Sequence, residues 1–441
     1  MTNSTASTPS ATARSARTWA YRALGVLLLC TALGAWVAWL NVRGEAGIDA
    51  YATSTPAAPF TASAAQIAQG AYLARAGNCA ACHTARGGAD YAGGLGIATP
   101  FGTVYTSNLT PDAQSGLGHW TPGAFWRAMH HGRSADGRLL YPVFPYTSYT
   151  HISRSDSDAL YAYLRSLAPV AQANRPHDLA FPYSSQASLA VWRALFFRAA
   201  EFTPEPTRTA EWNRGAYLVR GLGHCAACHT ERNLLGASRG ALALQGGAIP
   251  MQHWYAPSLA SAREAGVADW DTQEVVALLK TGTSAHGSVV GPMADVVFGS
   301  TQYLSDTDLR AMAVFLKELP PQTQAPRTAN APEPAQFSSG EKLYKQHCAG
   351  CHGEQGEGAR GAYPALAGHR VVTLESPANL VQIVLHGGYP PATAGNPRPY
   401  GMPPFQQTLD GPQIAAVLSY IRHAWGNAAS PVSALEVMQN Q

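Results

Sequence analysis

Three copies of the pattern Cys-x-x-Cys-His constrain this chain more than any other feature of its sequence. Together they use six of the seven cysteines in 441 residues. Any fold of this chain must therefore bring two thiols and an imidazole together at three separate places. The three copies are Cys79, Cys82 and His83; Cys225, Cys228 and His229; and Cys348, Cys351 and His352.

Four kinds of site could use such a pattern. A zinc ribbon pairs two Cys-x-x-Cys units ~15–20 residues apart, much closer than these copies lie, and a thioredoxin-like site needs one copy near a βαβ unit. A framework of disulfides gives no reason for the histidine. Covalent attachment of haem c explains every element, because two thiols bond the haem and the next histidine ligates its iron. The sequence therefore predicts three covalently bound haem c groups.

A low-spin haem also needs a sixth ligand, for which methionine is a common choice because it raises the reduction potential. The stretch "PYGMPPF" presents Met402 on a loop shaped by glycine and proline, and "VVGPMADVV" presents Met293 at the equivalent point. We predict that both ligate iron. The first segment has Phe144 there, so its haem is either five-coordinate or ligated from elsewhere. The candidates, among which the choice stays open, are Met129, His130, His131 and His151.

The motifs lie in repeated segments. "GAYLARAGNCAACHT" resembles "GAYLVRGLGHCAACHT", "GEKLYKQHCAGCHG" follows the same plan, and each segment ends in a helix that opens with Ser or Asp. Helix, haem loop, helix, ligand loop and closing helix is the order of a small class-I cytochrome c domain. We therefore expect a mainly α fold with three tandem domains of this class. The expected domains are 62–168, 206–319 and 337–427, with a connector at 169–205, a Pro/Ala-rich linker at 320–336 and a tail at 428–441.

An uncharged apolar run over residues 23–40 precedes the motifs. As a helix it would nearly cross a bilayer core of ~30 Å. Arginines before it place residues 1–22 in the cytoplasm and the rest of the chain outside. Two tryptophans and the lack of a clear cleavage site favour a retained transmembrane anchor, although a cleaved signal peptide stays open. We expect a bacterial inner-membrane protein with periplasmic domains, and the formal charge of +3 gives no reason to expect a nucleic-acid partner.

Several longer stretches carry a family resemblance. They are "TPFGTVYTSNLTPD", "YLVRGLGHCAACHTERNLLGA", "GVADWDTQEVVALLKTG", "GPMADVVFGSTQYLSDTDLRAMAVFLKELP" and "GGYPPATAGNPRPYGMPPF". In combination they make residues 62–427 resemble the three-haem cytochrome c subunit of bacterial membrane-bound dehydrogenases, which oxidise alcohols, aldehydes or gluconate. The alcohol dehydrogenase type commonly has Met where this chain has Phe144. "LYPVFPY" looks more like the cytochromes that accompany molybdopterin hydroxylases or aldehyde dehydrogenases.

The resemblance implies an electron-transfer subunit. It would accept electrons from a catalytic subunit carrying pyrroloquinoline quinone, flavin or molybdopterin, and pass them to ubiquinone or a terminal oxidase. No stretch supplies an acid–base pair, a nucleophile or a Gly-rich cofactor loop in a strand–helix context. We therefore predict no catalytic residues for the organic substrate. The alternatives are a peroxidase-like haem enzyme, if the first haem is five-coordinate, and a stand-alone membrane-anchored electron shuttle.

Overall fold

Helices dominate the structure. The computed structural model describes residues 11–48, 61–240, 243–322 and 329–441, and helices account for 43% of these residues. The expectation of a mainly α fold is confirmed. The helices are α1 (Ala11–Val42), α2 (Ala64–Ala76), α3 (Cys79–His83), α4 (Pro122–His131), α5 (Tyr146–Tyr149), α6 (Arg154–Ser166), α7 (Gln186–Phe196), α8 (Ala210–Arg220), α9 (Thr272–Thr281), α10 (Pro292–Gly299), α11 (Asp306–Lys317), α12 (Pro334–His347), α13 (Ala349–His352), α14 (Ala378–His386), α15 (Gly411–His423) and α16 (Ala434–Gln439). Short 3-10 helices cover Cys225–Ala227 and Thr301–Tyr303.

The strands are short and antiparallel. One sheet has the order β1-β2-β3, and two further pairs are hairpins, β4 with β5 and β6 with β7. In the first sheet Ile97 pairs with Val104, and Gly102 with Leu179. The strands are β1 (Gly96–Thr99), β2 (Gly102–Tyr105), β3 (Asp178–Leu179), β4 (Gly247–Ile249), β5 (Trp254–Ala256), β6 (Thr283–Ser284) and β7 (Gly287–Ser288).

Three helix pairs form the framework: α2 with α6, α8 with α11, and α12 with α15. In every pair one glycine of the first helix faces an alanine carbonyl of the second. A Cβ added at Gly70 or Gly215 would lie 1.9 Å from that oxygen, and one at Gly340 would lie 2.2 Å from it. Glycine is therefore needed at each crossing, because no larger residue allows the two backbones to approach so closely. The facing alanines are Ala159, Ala311 and Ala416.

The second helix of each pair begins at a side-chain cap. Ser153 and Ser305 accept the backbone N–H groups of Asp156 and Asp308, and Asp410 forms a reciprocal capping box with the residue three positions on. Such caps satisfy N–H groups that the first helical turn leaves unpaired. Helices α6, α11 and α15 begin at Arg154, Asp306 and Gly411, each directly after its cap.

Two clusters of buried side chains lie between these helices. The first joins the first and second helix pairs, with Leu73, Leu160, Leu218 and Phe315 among its members. The second belongs to the third pair and is centred on Tyr344. The first two pairs therefore share one continuous core, whereas the third pair has its own.

The segments between and after the pairs are more ordered than expected. The connector at 169–205 contains β3 and α7, and α12 begins at Pro334, inside the expected linker. Residues 323–328 of that linker lie outside the described residues. The tail at 428–441 contains α16 and buries Val432 and Val437 in the second core, so it is part of the third unit.

The N-terminal helix stands apart from both cores. Within α1, Trp19–Val42 is apolar and long enough to cross a membrane, and its most apolar window is 0% buried. This span extends the expected run of 23–40 at both ends. The helix is compatible with a membrane anchor, because apolar side chains exposed along such a length require an apolar surrounding. Residues 1–10 lie outside the described residues.

Candidate haem sites

Each Cys-x-x-Cys-His motif follows directly on the first helix of a pair. In the first two copies a residue with left-handed backbone turns the chain into the motif: Asn78 has φ 49° and His224 has φ 36°. In the third, Cys348 itself continues from the end of α12. The motifs are wound as short helical turns, so both cysteines and the histidine of each copy stay close together.

The three motif histidines are held in the same way. The ring nitrogen Nδ1 lies 2.7 Å from a backbone carbonyl oxygen for His83 and His229, and 3.0 Å for His352. A carbonyl can only accept, so Nδ1 carries the proton and Nε2 keeps its lone pair. Burial lowers the pKa of all three imidazoles. Each is therefore a neutral imidazole with its Nε2 fixed in direction, an arrangement that suits a metal ligand.

The carbonyls that orient the histidines come from Ser107, Pro257 and Pro364. The first two of these carbonyls lie in the stretches "TSNLTPD" (106–112) and "APSLASA" (256–262), and no sequence pattern predicted their role. Ser107 and Pro257 occupy matching positions in those two stretches, so aligning the repeats could have paired them. A backbone carbonyl leaves no side-chain signature, so its function was not readable from residue type.

The six motif cysteines are free thiols in the structure. Burial raises the pKa of Cys79 and of Cys225 to about 12, and that of Cys348 to about 11. Among the described residues no group of three or more His, Cys, Asp and Glu side chains is placed to hold a metal ion. The donor set does not fit zinc and fits haem c, which takes two thiols in covalent bonds and one imidazole on its iron.

The predicted methionine ligands lie against the cores that contain these motifs. Met293 is packed against the first core, as are Cys79 and Cys225, and Met402 is packed against the second, as is Cys348. The backbone of Met402 is fixed by two hydrogen bonds with Gly388, of 2.8 and 3.0 Å. Both thioethers are therefore in the same apolar surroundings as a motif cysteine, with Met402 on a doubly anchored loop.

At the first site Phe144 packs against the first core. Two of the alternative ligands considered for this site, Met129 and His130, are buried, and the ring of His130 stacks on Trp126 with centroids 4.4 Å apart. Burial lowers the pKa of the neighbouring His131 to about 4. The rings of His130 and His131 both pack inside the protein.

The remaining candidate ligand, His151, has one ring nitrogen hydrogen-bonded within its own loop. Its Nδ1 lies 3.0 Å from the carbonyl oxygen of Ser148. Phe202 donates its backbone N–H to the carbonyl of His151 over 3.2 Å. The part of the chain that follows α5 is thus tied to the connector through this residue.

The first and second motifs face each other. Burial and the neighbouring Cys228 thiol together raise the pKa of Cys82. The ring of Tyr149 lies edge-on to His224 at 5.6 Å between centroids, and its hydroxyl reaches the carbonyl of Gly77 at 3.3 Å. One aromatic side chain therefore touches the chain immediately before both motifs.

Buried helix pairs that each deliver two thiols and an oriented imidazole define a c-type cytochrome. A family profile described as cytochrome c matches residues 67–168 and 337–425. The cytochrome c subunit of the quinone alcohol dehydrogenase from Gluconacetobacter polyoxogenes is 42% identical over 385 residues, which is 83% of this chain and 82% of that one. The cytochrome c subunit of gluconate 2-dehydrogenase from Pantoea cypripedii is 39% identical, over 83% of this chain and 87% of its own.

A nicotinate dehydrogenase subunit from Pseudomonas putida is also similar, with 42% identity over 85% of this chain and 32% of that longer one. The chain belongs to the cytochrome c family, among relatives that are cytochrome c subunits of alcohol, gluconate and fructose dehydrogenases. Membership implies covalently bound haem c and a role in electron transfer.

Proposed function

We propose that the chain carries three haem c groups, one at each motif. The observation that carries the proposal is the threefold recurrence of one arrangement, in which the Nδ1–H of a half-buried motif histidine donates a hydrogen bond to a backbone carbonyl. Cys79 and Cys82, Cys225 and Cys228, and Cys348 and Cys351 would form the thioether bonds. His83, His229 and His352 would be the proximal ligands.

Met293 and Met402 are the proposed sixth ligands of the second and third haems. Both are thioethers packed against an apolar core that a motif cysteine also contacts, where a soft neutral ligand favours the reduced iron. The first site offers Phe144 at that position and is proposed as five-coordinate. Haem c, when bound, supplies reversible one-electron chemistry, and these side chains fix its ligation and its exclusion from water.

The repeated helix crossings support three tandem class-I cytochrome c domains, at 62–168, 206–319 and 337–427. Each contains one glycine crossing, one motif and one capped closing helix. Helix α1 is proposed as a transmembrane anchor with the domains in the periplasm, since its span is apolar, exposed and preceded by arginines.

The function proposed is electron transfer from the catalytic subunit of a periplasmic dehydrogenase to ubiquinone or a terminal oxidase. Relatives named for alcohol, gluconate and nicotinate dehydrogenases support a partner of the pyrroloquinoline quinone, flavin or molybdopterin type. The chain itself would not act on the organic substrate. Its contribution is to hold three redox groups at fixed positions along one polypeptide.

The test begins with the haem content. Denatured protein from cells that mature c-type cytochromes should retain the mass of three haems, and a Cys348→Ala/Cys351→Ala variant should retain two. The intact protein is then mixed anaerobically with a purified dehydrogenase subunit encoded beside it and that enzyme's substrate. The haem absorbance should change to the reduced form, with no change when substrate is omitted. Retention of fewer than three haems contradicts the cofactor assignment, and oxidised haems in the complete mixture contradict the proposed function.

A further inference from the structure

Helix α7 is apolar on both of its faces. Leu189 and Ala194 are buried against the protein, whereas Val191 is 48% exposed and Leu195 60% exposed on the opposite side. A surface helix normally turns polar residues outward, and one that is apolar all round is covered on every side. The outward face of α7 therefore lacks a cover within the described residues.

The loop after the second motif extends this apolar face. Leu234 is 98% exposed and Leu235 is 45% exposed. The indole nitrogen of Trp192, on α7, donates a 2.9 Å hydrogen bond to the carbonyl of Leu235, and Arg232 donates to the carbonyl of Gly236 over 2.8 Å. The loop is thus held beside the helix. The exposed side chains of Val191, Leu195, Phe196, Leu234 and Leu235 form what we call the α7 surface.

The end of α1 is fastened to the same helix. Asn41 is buried, and its Nδ2 donates to the carbonyl of Ala190 while its Oδ1 accepts from Arg193 Nε, both over 2.9 Å. Arg133 adds a 2.6 Å hydrogen bond to the carbonyl of Asn41 and an ion pair with Glu45 at 2.9 Å. Helix α7 therefore lies beside the C-terminal end of α1.

The position of Asn41 fixes the level of this junction. The apolar span Trp19–Val42 has 24 residues, about 36 Å of helix against a hydrocarbon core of about 30 Å. Asn41 lies in its last turn, just beyond Trp36 and Trp39, both exposed. Tryptophans gather where the bilayer meets water. The junction of α1 with α7 is therefore at the membrane surface.

We propose that the α7 surface rests in the interfacial layer of the phospholipid bilayer that α1 crosses. This inference depends on the proposed membrane span of α1. The bilayer is the occupant that fits, because the surface is continuous with the exit of the span and presents five uncharged apolar side chains. Leu234 follows His229 by five residues, so the second motif is close along the chain to this surface.

The test uses the full haem-loaded chain in vesicles of phosphatidylethanolamine and phosphatidylglycerol that contain a phospholipid with a photoactivatable acyl chain. Crosslinked sites are mapped by peptide mass spectrometry. We expect lipid adducts on α1 and on the α7 surface. Leu435 and Met438, which are 55% and 60% exposed, are the matched apolar control and should stay severalfold less labelled. A Leu234→Glu/Leu235→Glu variant with an unchanged haem spectrum should lose adducts from the loop.

Three results would overturn the inference. Adducts on α1 with none on the α7 surface would support the membrane anchor and contradict the docking of the α7 surface. Adducts on the α7 surface that vanish when the purified dehydrogenase subunit is added would show that a protein covers this face in the complex. If α1 itself carries no adducts, the anchor fails and the docking fails with it, while the proposed electron transfer is judged separately by haem reduction.

Discussion

The hydroxyl of Tyr72 donates a 2.6 Å hydrogen bond to Asp308 Oδ2, which joins the first helix pair to the second. A matching contact runs in the opposite direction, from the second pair to the first: the hydroxyl of Tyr217 donates a 2.5 Å hydrogen bond to Asp156 Oδ2. In both cases the aspartate lies three residues after the serine cap of a closing helix, and the backbone N–H of that serine donates to the tyrosine hydroxyl. Two similar units thus meet through one contact used twice, the internal equivalent of a two-fold interface.

Removing one of these hydroxyls should weaken the joined pair. Tyr72→Phe keeps the ring and loses a hydrogen bond to a charged acceptor, so we expect the free energy of unfolding to fall by about 1.5 kcal/mol. Tyr217→Phe should behave alike, and the effects should add because the two bonds share no partner. Denaturant unfolding measures them. Tyr400→Phe, at a residue 57% exposed on the third unit, is the control, and equal effects in all three variants would contradict this account.

The same contact should make stability depend on pH. Although burial alone would raise it, hydrogen bonds from Arg214 and Tyr72 hold the pKa of Asp308 below its ordinary value. A lowered carboxyl pKa stabilises the fold above the ordinary pKa of about 4, and that contribution is lost as the pH falls through the lower, folded-state value. The stability difference between wild type and Asp308→Asn should therefore shrink on acidification below about pH 4. Asp306→Asn, at a side chain 84% exposed, should show little such change.

Substitution of the proposed methionine ligands should alter the haem spectrum selectively. Met293→Leu and Met402→Leu each remove one thioether, so we expect loss of low-spin absorbance from one haem and a lower potential for it. Met312→Leu is the matched control, because Met312 is a buried core side chain on α11 and the exchange conserves volume. A low-spin spectrum retained in both ligand variants would contradict the assignment.

The first haem should be the exception in the native protein. If Phe144 leaves its iron five-coordinate, the reduced protein should bind carbon monoxide at one haem without any mutation. Phe144→Met places a thioether at the corresponding position and should reduce both this binding and the high-spin component of the spectrum. A native protein that is wholly low-spin and does not bind carbon monoxide would show that another residue ligates this iron.

The helix crossings that contain a glycine should be destabilised by the addition of a single methyl group. At Gly340 an added Cβ meets the carbonyl of Ala416 at 2.2 Å, so Gly340→Ala should cost about 3 kcal/mol of unfolding free energy through overpacking. Gly411→Ala is the control in the same helix pair, since nothing lies within 4 Å of its added Cβ and alanine favours a helix. Thermal unfolding of the two variants separates a clash from a change in helix propensity. Equal stabilities would contradict the close approach.

The local features of this fold were readable from the sequence. Capping chemistry identified the starts of the closing helices at Ser305 and Asp410, and the apolar run identified the exposed span of α1. The grouping of Met402 with Cys348 followed from their order in a known kind of domain. Such features depend on residues near one another in the chain, where spacing carries the information.

Contacts between residues far apart in the chain could not be predicted from the sequence. Nothing in the residues around Tyr72 points to Asp308, because the two are 236 positions apart and their contact depends on how complete units pack. The histidine-orienting carbonyls are backbone atoms that any residue supplies. His130 and His131 look like surface residues by type, yet both are buried, with the ring of His130 stacked on Trp126.

The core shared by the first two helix pairs also determines where this polypeptide can be divided. In a fragment that ends in the connector near residue 205, Leu73, Leu160 and their neighbours would lose the packing that the second helix pair supplies. An apolar face would then be exposed to water. The smallest soluble pieces should be the first two units produced together, and the third produced alone with its last fourteen residues still attached. Fragments or gene fusions that are divided between the second and third units keep each hydrophobic core intact.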